Sequence, residues 1–267
     1  MVNPRTISYL LIAGWLTLSG NWVLAKTTDL NVREPALVPS TLVYSANYNG
    51  MPIEMTRELT VDTTSGIYQF ASLAKNLLGK IEETGRFEID QQNNLKNHDY
   101  KYQWRILGKG KTEELVFDYQ EKIARYTSKD KHRQVKLTSH FQSRISYQLQ
   151  LQRDLLNHCE DLDYQVIVRG KPRDYAFKRN GEETITTPLG DLNTVVIKRV
   201  GDEDRETTLW FAPALNYTLV RLVQKEDGEE YLIDLKEGSI NQVSLTELLQ
   251  INRNDKNLTG NPPKSSL

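Results

Sequence analysis

The chain has 267 residues, with 34 lysines and arginines against 35 aspartates and glutamates, and 38% of its residues are hydrophobic. That length and balance suit one large β domain or two small ones, and they exclude intrinsic disorder over most of the chain. A near-neutral chain lacks the basic footprint of a nucleic-acid binder, and no stretch after the N-terminus approaches the roughly 20 apolar residues of a membrane helix.

Residues 1–25 read as a cleavable export signal. Arg5 is their only charge, an apolar run covers residues 7–18, and Val23-Leu24-Ala25 supplies a small-residue cleavage end. The missing twin arginine favours the general secretory route, and the absence of a nearby cysteine argues against acylation as a lipoprotein. No transmembrane span is expected once the signal is removed.

A polar lead over residues 26–41, with Pro35 and Pro39, precedes a single β-rich domain over residues 42–251. Tyr44, Ala46 and Tyr48 share one face of a strand. Ile53, Met55, Leu59 and Val61 share one face of the next, and Asn49-Gly50 between them supplies the positive φ angles of a tight hairpin. Phe87 and Ile89 alternate before a turn at residues 91–94. Tyr100, Tyr102, Trp104 and Ile106 then share a face, and Gly108 and Gly110 close that strand.

Residues 143–157 carry the three-to-four spacing of a helix through Ile145, Leu149, Gln152 and Leu156. Strand patterning resumes at Leu162, Tyr164, Val166 and Val168, and Tyr175 and Phe177 precede a predicted turn at Asn180-Gly181. Residues 192–200 and 207–212 are rich in β-branched and aromatic types. A last hairpin turns at Asp227-Gly228, and Ser244 with Glu247 forms a capping box before Leu248, Leu249 and Ile251. The tail, residues 252–267, is polar and contains Pro262-Pro263, as a disordered segment would.

The resulting fold class is mainly β: a large curved antiparallel sheet or half-open barrel, an up-and-down meander with one central helix and a short C-terminal helix. Two β domains joined near residues 140–160 are the weaker alternative.

The order of short motifs resembles the bacterial exported family called domain of unknown function 3108, over roughly residues 42–236. The motifs are Tyr44-Ser-Ala-Asn-Tyr48, Gly66-Ile-Tyr68, Phe117-Asp118-Tyr119, the central helix, Arg169-Gly170-Lys171, Gly181-Glu182-Glu183, Thr187-Pro188-Leu189-Gly190 and Leu209-Trp210-Phe211-Ala212-Pro213. The resemblance implies a Gram-negative envelope protein, and with the export signal it points to the periplasm. It transfers no activity and no catalytic residues. Physically, Thr187-Pro188-Leu189-Gly190 reads as a scaffold turn and Trp210-Phe211-Ala212-Pro213 as a strand end.

No catalytic, cofactor or metal residues emerge. The pairs Glu82-Glu83, Glu113-Glu114 and Glu182-Glu183 would split between opposite faces of a strand, so each reads as solvated charge. The four histidines lack metal-ligand spacing. The sole cysteine, Cys159, cannot form an intramolecular disulfide and reads as a packed, inert thiol.

Four residues are candidate cavity lining. Arg57 shares the alternation phase of its apolar neighbours, so its guanidinium is directed inward towards an acid, carbonyls, solvent or an anionic head group. Tyr100, Tyr102 and Trp104 form an aromatic stripe suited to core packing or to an apolar ligand. The leading expectation is a non-enzymatic periplasmic protein that binds a hydrophobic or amphipathic envelope molecule, such as a lipid. Half-open-barrel lipid carriers are a fold-level analogy for this. That reading calls for a continuous apolar cavity of about 300 Å³ or more. A scaffold engaging another envelope protein comes second, and a polysaccharide or peptidoglycan hydrolase a distant third.

Overall fold

The computed structural model describes residues 37–48, 51–138, 140–202 and 204–259. The expected leader, the Asn49-Gly50 turn and residues 260–267 lie outside these residues.

The first half is a meander of eight strands: β1 (Ser40–Tyr48), β2 (Met51–Val61), β3 (Tyr68–Asn76), β4 (Gly79–Ile89), β5 (Leu95–Ile106), β6 (Lys109–Asp118), β7 (Ile123–Ser128) and β8 (Lys131–Lys136). A short β9 (Phe141–Gln142) leads into helix α1 (Ser146–Leu156). The second half contains β10 (Asp163–Val168), β11 (Lys171–Thr187), β12 (Gly190–Val200), β13 (Arg205–Ala212), β14 (Thr218–Glu226), β15 (Glu229–Ile240), β16 (Val243–Ser244) and helix α2 (Leu245–Thr259).

Within each half, consecutive strands pair antiparallel. A seam between β1 and β15, from Ser40 opposite Ile240 to Asn47 opposite Leu232, then joins the halves into one sheet. This seam removes the two-domain alternative. β9 adds to β10 in parallel, and β8 and β9 lie at opposite ends of the strand order, so the sheet curls without closing into a barrel.

The concave side is filled. Ile145 and Leu149 at the start of α1 pack with Phe87, Leu95, Tyr100 and Leu115 of the first half. Tyr147, Leu151 and Leu155 of the same helix pack with Phe177, Ile197, Leu209 and Phe211 of the second. An eleven-residue helix could not hold its shape alone, so burial of both its flanks supplies its stability. Polar ties fix its position. Leu95 N–H donates to the buried Gln150 Oε1 at 2.7 Å, and Arg153 Nε donates to the Asn93 carbonyl at 2.9 Å. At its N-terminus, Ser146 N–H donates to Ser143 Oγ (3.2 Å) and Ser143 N–H to Ser146 Oγ (2.8 Å), a reciprocal cap.

Several sequence motifs find their expected places. Glu247 N–H donates to Ser244 Oγ at 3.2 Å at the start of α2. Thr187 Oγ1 donates to the Gly190 carbonyl at 2.9 Å and stabilises the β11–β12 turn, while Phe211 and Trp210 enter different apolar clusters before Pro213 ends the strand.

Two expectations are corrected. Asn180-Gly181 is no hairpin turn: β11 runs through it, and Gly181 at φ +96° absorbs one extra residue in a bulge opposite β12. Nor does the polar composition after Asn252 end the helix, because α2 continues to Thr259 and Asn252 Nδ2 donates to the Ala214 carbonyl at 2.7 Å.

The curl is held by the Arg169-Gly170 turn between β10 and β11. Arg133 Nη1 on β8 donates to the Arg169 carbonyl at 2.8 Å, and Gly170 (φ +69°) presses on Tyr126 of β7. A Cβ at position 170 would stand 2.8 Å from three carbons of the Tyr126 side chain, so only glycine fits. Gly228, in another positive-φ turn, has no atom near its own virtual Cβ. Gly228→Ala should therefore cost about 1 kcal/mol through backbone strain alone. Gly170→Ala should cost at least about 2 kcal/mol, because overpacking adds to the same strain. Chemical denaturation of the two variants checks this, and equal losses would show that the turn does not bear on Tyr126.

Candidate functional site

The four residues expected to line a cavity do not converge on one. Arg57 projects inward as its strand phase requires, but its partners are Gln148 Oε1, to which Nη1 donates at 2.8 Å, and the Tyr44 ring, 5.2 Å from the guanidinium carbon to the centroid. Its Nε is buried without a hydrogen-bond partner among the described residues, beside a cavity of only 40 Å³. That volume suits a water molecule or two rather than a lipid chain. The trough itself holds no continuous apolar cavity of the kind the sequence reading required among the described residues, because α1 occupies it; a largely apolar pocket of 300 Å³ lies elsewhere, open to the surface and lined by Ile53, Ala74, Ile81 and Ile106 with Lys75 and Lys80.

The aromatic stripe serves three environments. Across β4, β5 and β6 the ladder aligns Gly85 with Tyr100 and Leu115, Glu83 with Tyr102 and Glu113, and Ile81 with Trp104 and Lys111. Tyr100 is core, with its hydroxyl donating to Glu83. Tyr102 is half-buried beneath the Arg144 guanidinium, 4.8 Å from its ring centroid. Trp104 is half-buried and lines neither the cavity at Arg57 nor the cleft described next.

The ladder also corrects the reading of the glutamates as solvated charge. Neighbours such as Glu113 and Glu114 do split between faces, yet Glu113 is only 3% exposed, and it meets Glu83 from another strand on either side of Tyr102. Lys111 Nζ lies 2.5 Å from Glu113 and neutralises it. Burial alone would lower the pKa of Arg144, but Tyr100, Glu83, Tyr102 and Glu113 raise it overall and keep the guanidinium charged. Burial and the Glu83 charge push the Tyr100 phenol well above its ordinary value, so it stays protonated as a donor.

Arg144 opens onto the most distinctive feature of the surface, a cleft of 410 Å³ where the two ends of the curled sheet meet. Eight cations line it: Lys111, Lys131, Arg133, Arg144, Arg169, Lys171, Arg173 and Arg205, together with Tyr126, Val168 and Tyr175. No carboxylate is among the lining residues.

Period-two geometry explains the convergence. Lys131 and Arg133 share a face of β8 with buried Val135. Lys171 and Arg173 share a face of β11 with Tyr175 and buried Phe177. Arg205 shares a face of β13 with buried Leu209 and Phe211. Each strand thus carries cations near its hairpin end and core residues deeper in, and the curl gathers the cationic ends. Such a site attracts anions electrostatically, and its arginines offer forked donors to phosphate or carboxylate oxygens. Sequence reasoning missed it because the cations come from separate segments. The one local signal is Arg169-Gly170-Lys171, whose two cations both line the cleft.

Elsewhere, no group of three or more histidine, cysteine or acidic side chains suited to a metal occurs among the described residues. Cys159 is half-buried and free. Burial and the neighbouring Asp154 push its thiol pKa up, which disfavours the reactive thiolate.

An open, curled, β-barrel-like sheet with its trough filled by a helix is the class that this architecture defines. A crystal structure described as a β-barrel-like protein of domain of unknown function DUF1849 from Brucella abortus shares the fold, with a TM-score of 0.50 and 9% identity over 78% of this chain and 99% of that one. A candidate lipoprotein from Parabacteroides distasonis aligns at a TM-score of 0.29 and 10% identity, covering 77% of this chain and 97% of that one. The chain belongs to the family described as "Protein of unknown function (DUF3108)", whose model matches residues 43–235. No curated protein matches the sequence.

Of the cleft cations, Arg205 is tied to an acid at the rim, with its Nη2 2.5 Å from Glu226 Oε1. That hydrogen bond holds the Glu226 carboxyl below its ordinary pKa and raises that of Arg205. A depressed carboxyl pKa contributes stability that is present above the unfolded value and is lost as pH falls through the folded one. Glu226→Gln should therefore be less stable than wild type at neutral pH, and the difference should shrink below about pH 4. Urea midpoints measured at both pH values check this, and a gap that does not change with pH would refute it.

Proposed function

We propose that this chain is a non-enzymatic protein of the bacterial envelope that binds a multiply charged anionic molecule in the cleft between β8 and the β10–β11 turn. The observation that carries the reading is the convergence of eight cations on 410 Å³ in a chain whose formal net charge is −1. Lys111 and Arg205 already have acid partners, whereas Lys131, Arg133, Arg169, Lys171 and Arg173 form no ion pair among the described residues. Like charges held this close repel one another, and a bound polyanion relieves that repulsion. The export signal and the family resemblance support an envelope location. Phosphorylated lipids and anionic glycans both present suitable groups, and with the trough filled an amphipathic ligand is held by its head group rather than swallowed by its tail.

The scaffold and hydrolase readings are weaker. The edge strand β8, with the sequence Lys-His-Arg-Gln-Val-Lys, carries the cations that discourage strand addition. The facing carboxylates Glu83 and Glu113 are each occupied, by Tyr100 and Lys111 respectively.

Titration calorimetry with tripolyphosphate and with lysophosphatidylglycerol tests the proposal, with lysophosphatidylcholine as the zwitterionic control. Saturable, salt-sensitive binding of either anion is expected, and the paired substitution Lys171→Glu and Arg173→Glu, at exposed positions, should weaken it at least about tenfold. Binding of tripolyphosphate alone would point to a glycan or phosphate ligand, and binding of the lipid to a lipid head group. Absence of both, or indifference to the substitutions, would overturn the reading.

A further inference from the structure

The hairpin rim that opens the cleft carries a second, chemically different feature. Because the strands alternate in direction, the β3–β4 and β5–β6 turns lie side by side on this rim, and Leu107 N–H donates to the Leu78 carbonyl across them at 3.1 Å. Turn tips are ordinarily built from Asn, Gly, Asp or Ser. Here they present Leu77 at 104% exposure and Leu107 at 75%, flanked by Leu78 and Ile106.

Packing does not require these leucines. The Asn76 side chain, accepting from Leu78 N–H at 2.9 Å and Gly79 N–H at 3.1 Å, already shapes the first turn. Leu107 sits at φ +49°, a conformation that favours Asn or Gly over a bulky side chain. Lys75, Lys80, Arg105 and Lys109 surround the tips, and the acids beside them are Glu54 and Glu82, paired with Lys75 and Lys80 respectively. Arg105 and Lys109 form no ion pair among the described residues.

We propose that these two hairpin tips dock the protein on an anionic lipid bilayer, the leucines entering the acyl boundary while the surrounding cations contact lipid phosphates. Leu77 and Leu107 project at the apex of their turns, Leu77 and Ile106 also border shallow, largely apolar pockets that share Ile53, and a fluid surface with no fixed complementary shape can cover tips and pockets together. The ring of lysine and arginine matches the charge of phospholipid head groups. The acidic turn at Asp227, Glu229 and Glu230, on the second half of the same rim, confines contact to the leucine side. This inference concerns a surface separate from the cleft and does not depend on a ligand there.

Cosedimentation of the full chain with vesicles of phosphatidylethanolamine and phosphatidylglycerol, against pure phosphatidylcholine vesicles, tests it. Preferential, salt-weakened binding to the anionic vesicles is expected, and Leu77→Asp combined with Leu107→Asp should reduce it at least about tenfold. Leu107→Asn guards against misfolding as the explanation: it should lower vesicle binding while leaving the melting temperature unchanged or raised, since Asn tolerates the left-handed turn. Leu77→Asp with Leu107→Asp should leave tripolyphosphate binding in the cleft unchanged, which separates docking from occupation of the cleft. Failure to bind anionic vesicles, or binding that survives the leucine substitutions and so belongs elsewhere in the chain, would overturn the proposal.

Discussion

The contact of Gly170 with Tyr126 is the constraint on which the cleft depends. The sheet is continuous through the β1–β15 seam, but its ends, β8 and β9, are not paired with each other, so no hydrogen-bond ladder fixes how far it curls. Instead a turn from the second half rests on a strand of the first, and the absence of a side chain at position 170 sets the approach. The Arg133 bond to the Arg169 carbonyl then fixes the turn laterally. Were this approach wider, Lys131 and Arg133 would part from Lys171 and Arg173, and the eight cations would be ordinary surface charge.

The same curl creates a tension that α1 resolves. Bringing cationic strand ends together raises the electrostatic energy of the folded chain, and that energy must be offset by burial elsewhere. The helix supplies it. Its two flanks join apolar clusters from both halves, and Gln150 and Arg153 bind the β4–β5 turn at the opposite rim from the cleft. Arg144, just before the helix, reaches the cleft while Tyr102, Glu83 and Glu113 hold its charge. One element thus stabilises the trough and contributes a cation to the site.

Much of the architecture was legible because local rules and tertiary structure agree. Alternation at Tyr44 and Ala46, the three-to-four spacing of Leu149 and Leu156, and the Ser244 cap each describe one element that needs no distant partner to be recognised. Asn180-Gly181 misled because positive φ serves a bulge as well as a hairpin, and the choice is made by β12, whose register demands one extra residue opposite it. Arg57 projects inward as its strand phase implies, but Gln148 and Tyr44, which receive it, are remote in sequence. The cleft was hardest to see. Its cations lie on β6, β8, β11 and β13, in the approach to α1 and in the β10–β11 turn, and a balanced total charge conceals such local concentration.

A filled trough changes how a curved sheet of this kind engages a ligand. In a hollow half-barrel, affinity for an amphipathic molecule comes from burying its chain, and polar groups at the mouth supply selectivity. Here the trough offers 40 Å³ near Arg57, against 410 Å³ in the charged cleft, and on the proposed reading that balance is reversed. On that reading, charge and hydrogen bonding dominate recognition in the cleft, and apolar surface lies apart from it, at the leucine tips and in the open pocket lined by Ile53, Ala74, Ile81 and Ile106. Under that proposal the core needs no conformational opening, because a head group would enter and leave the cleft while α1 stays packed between the two halves.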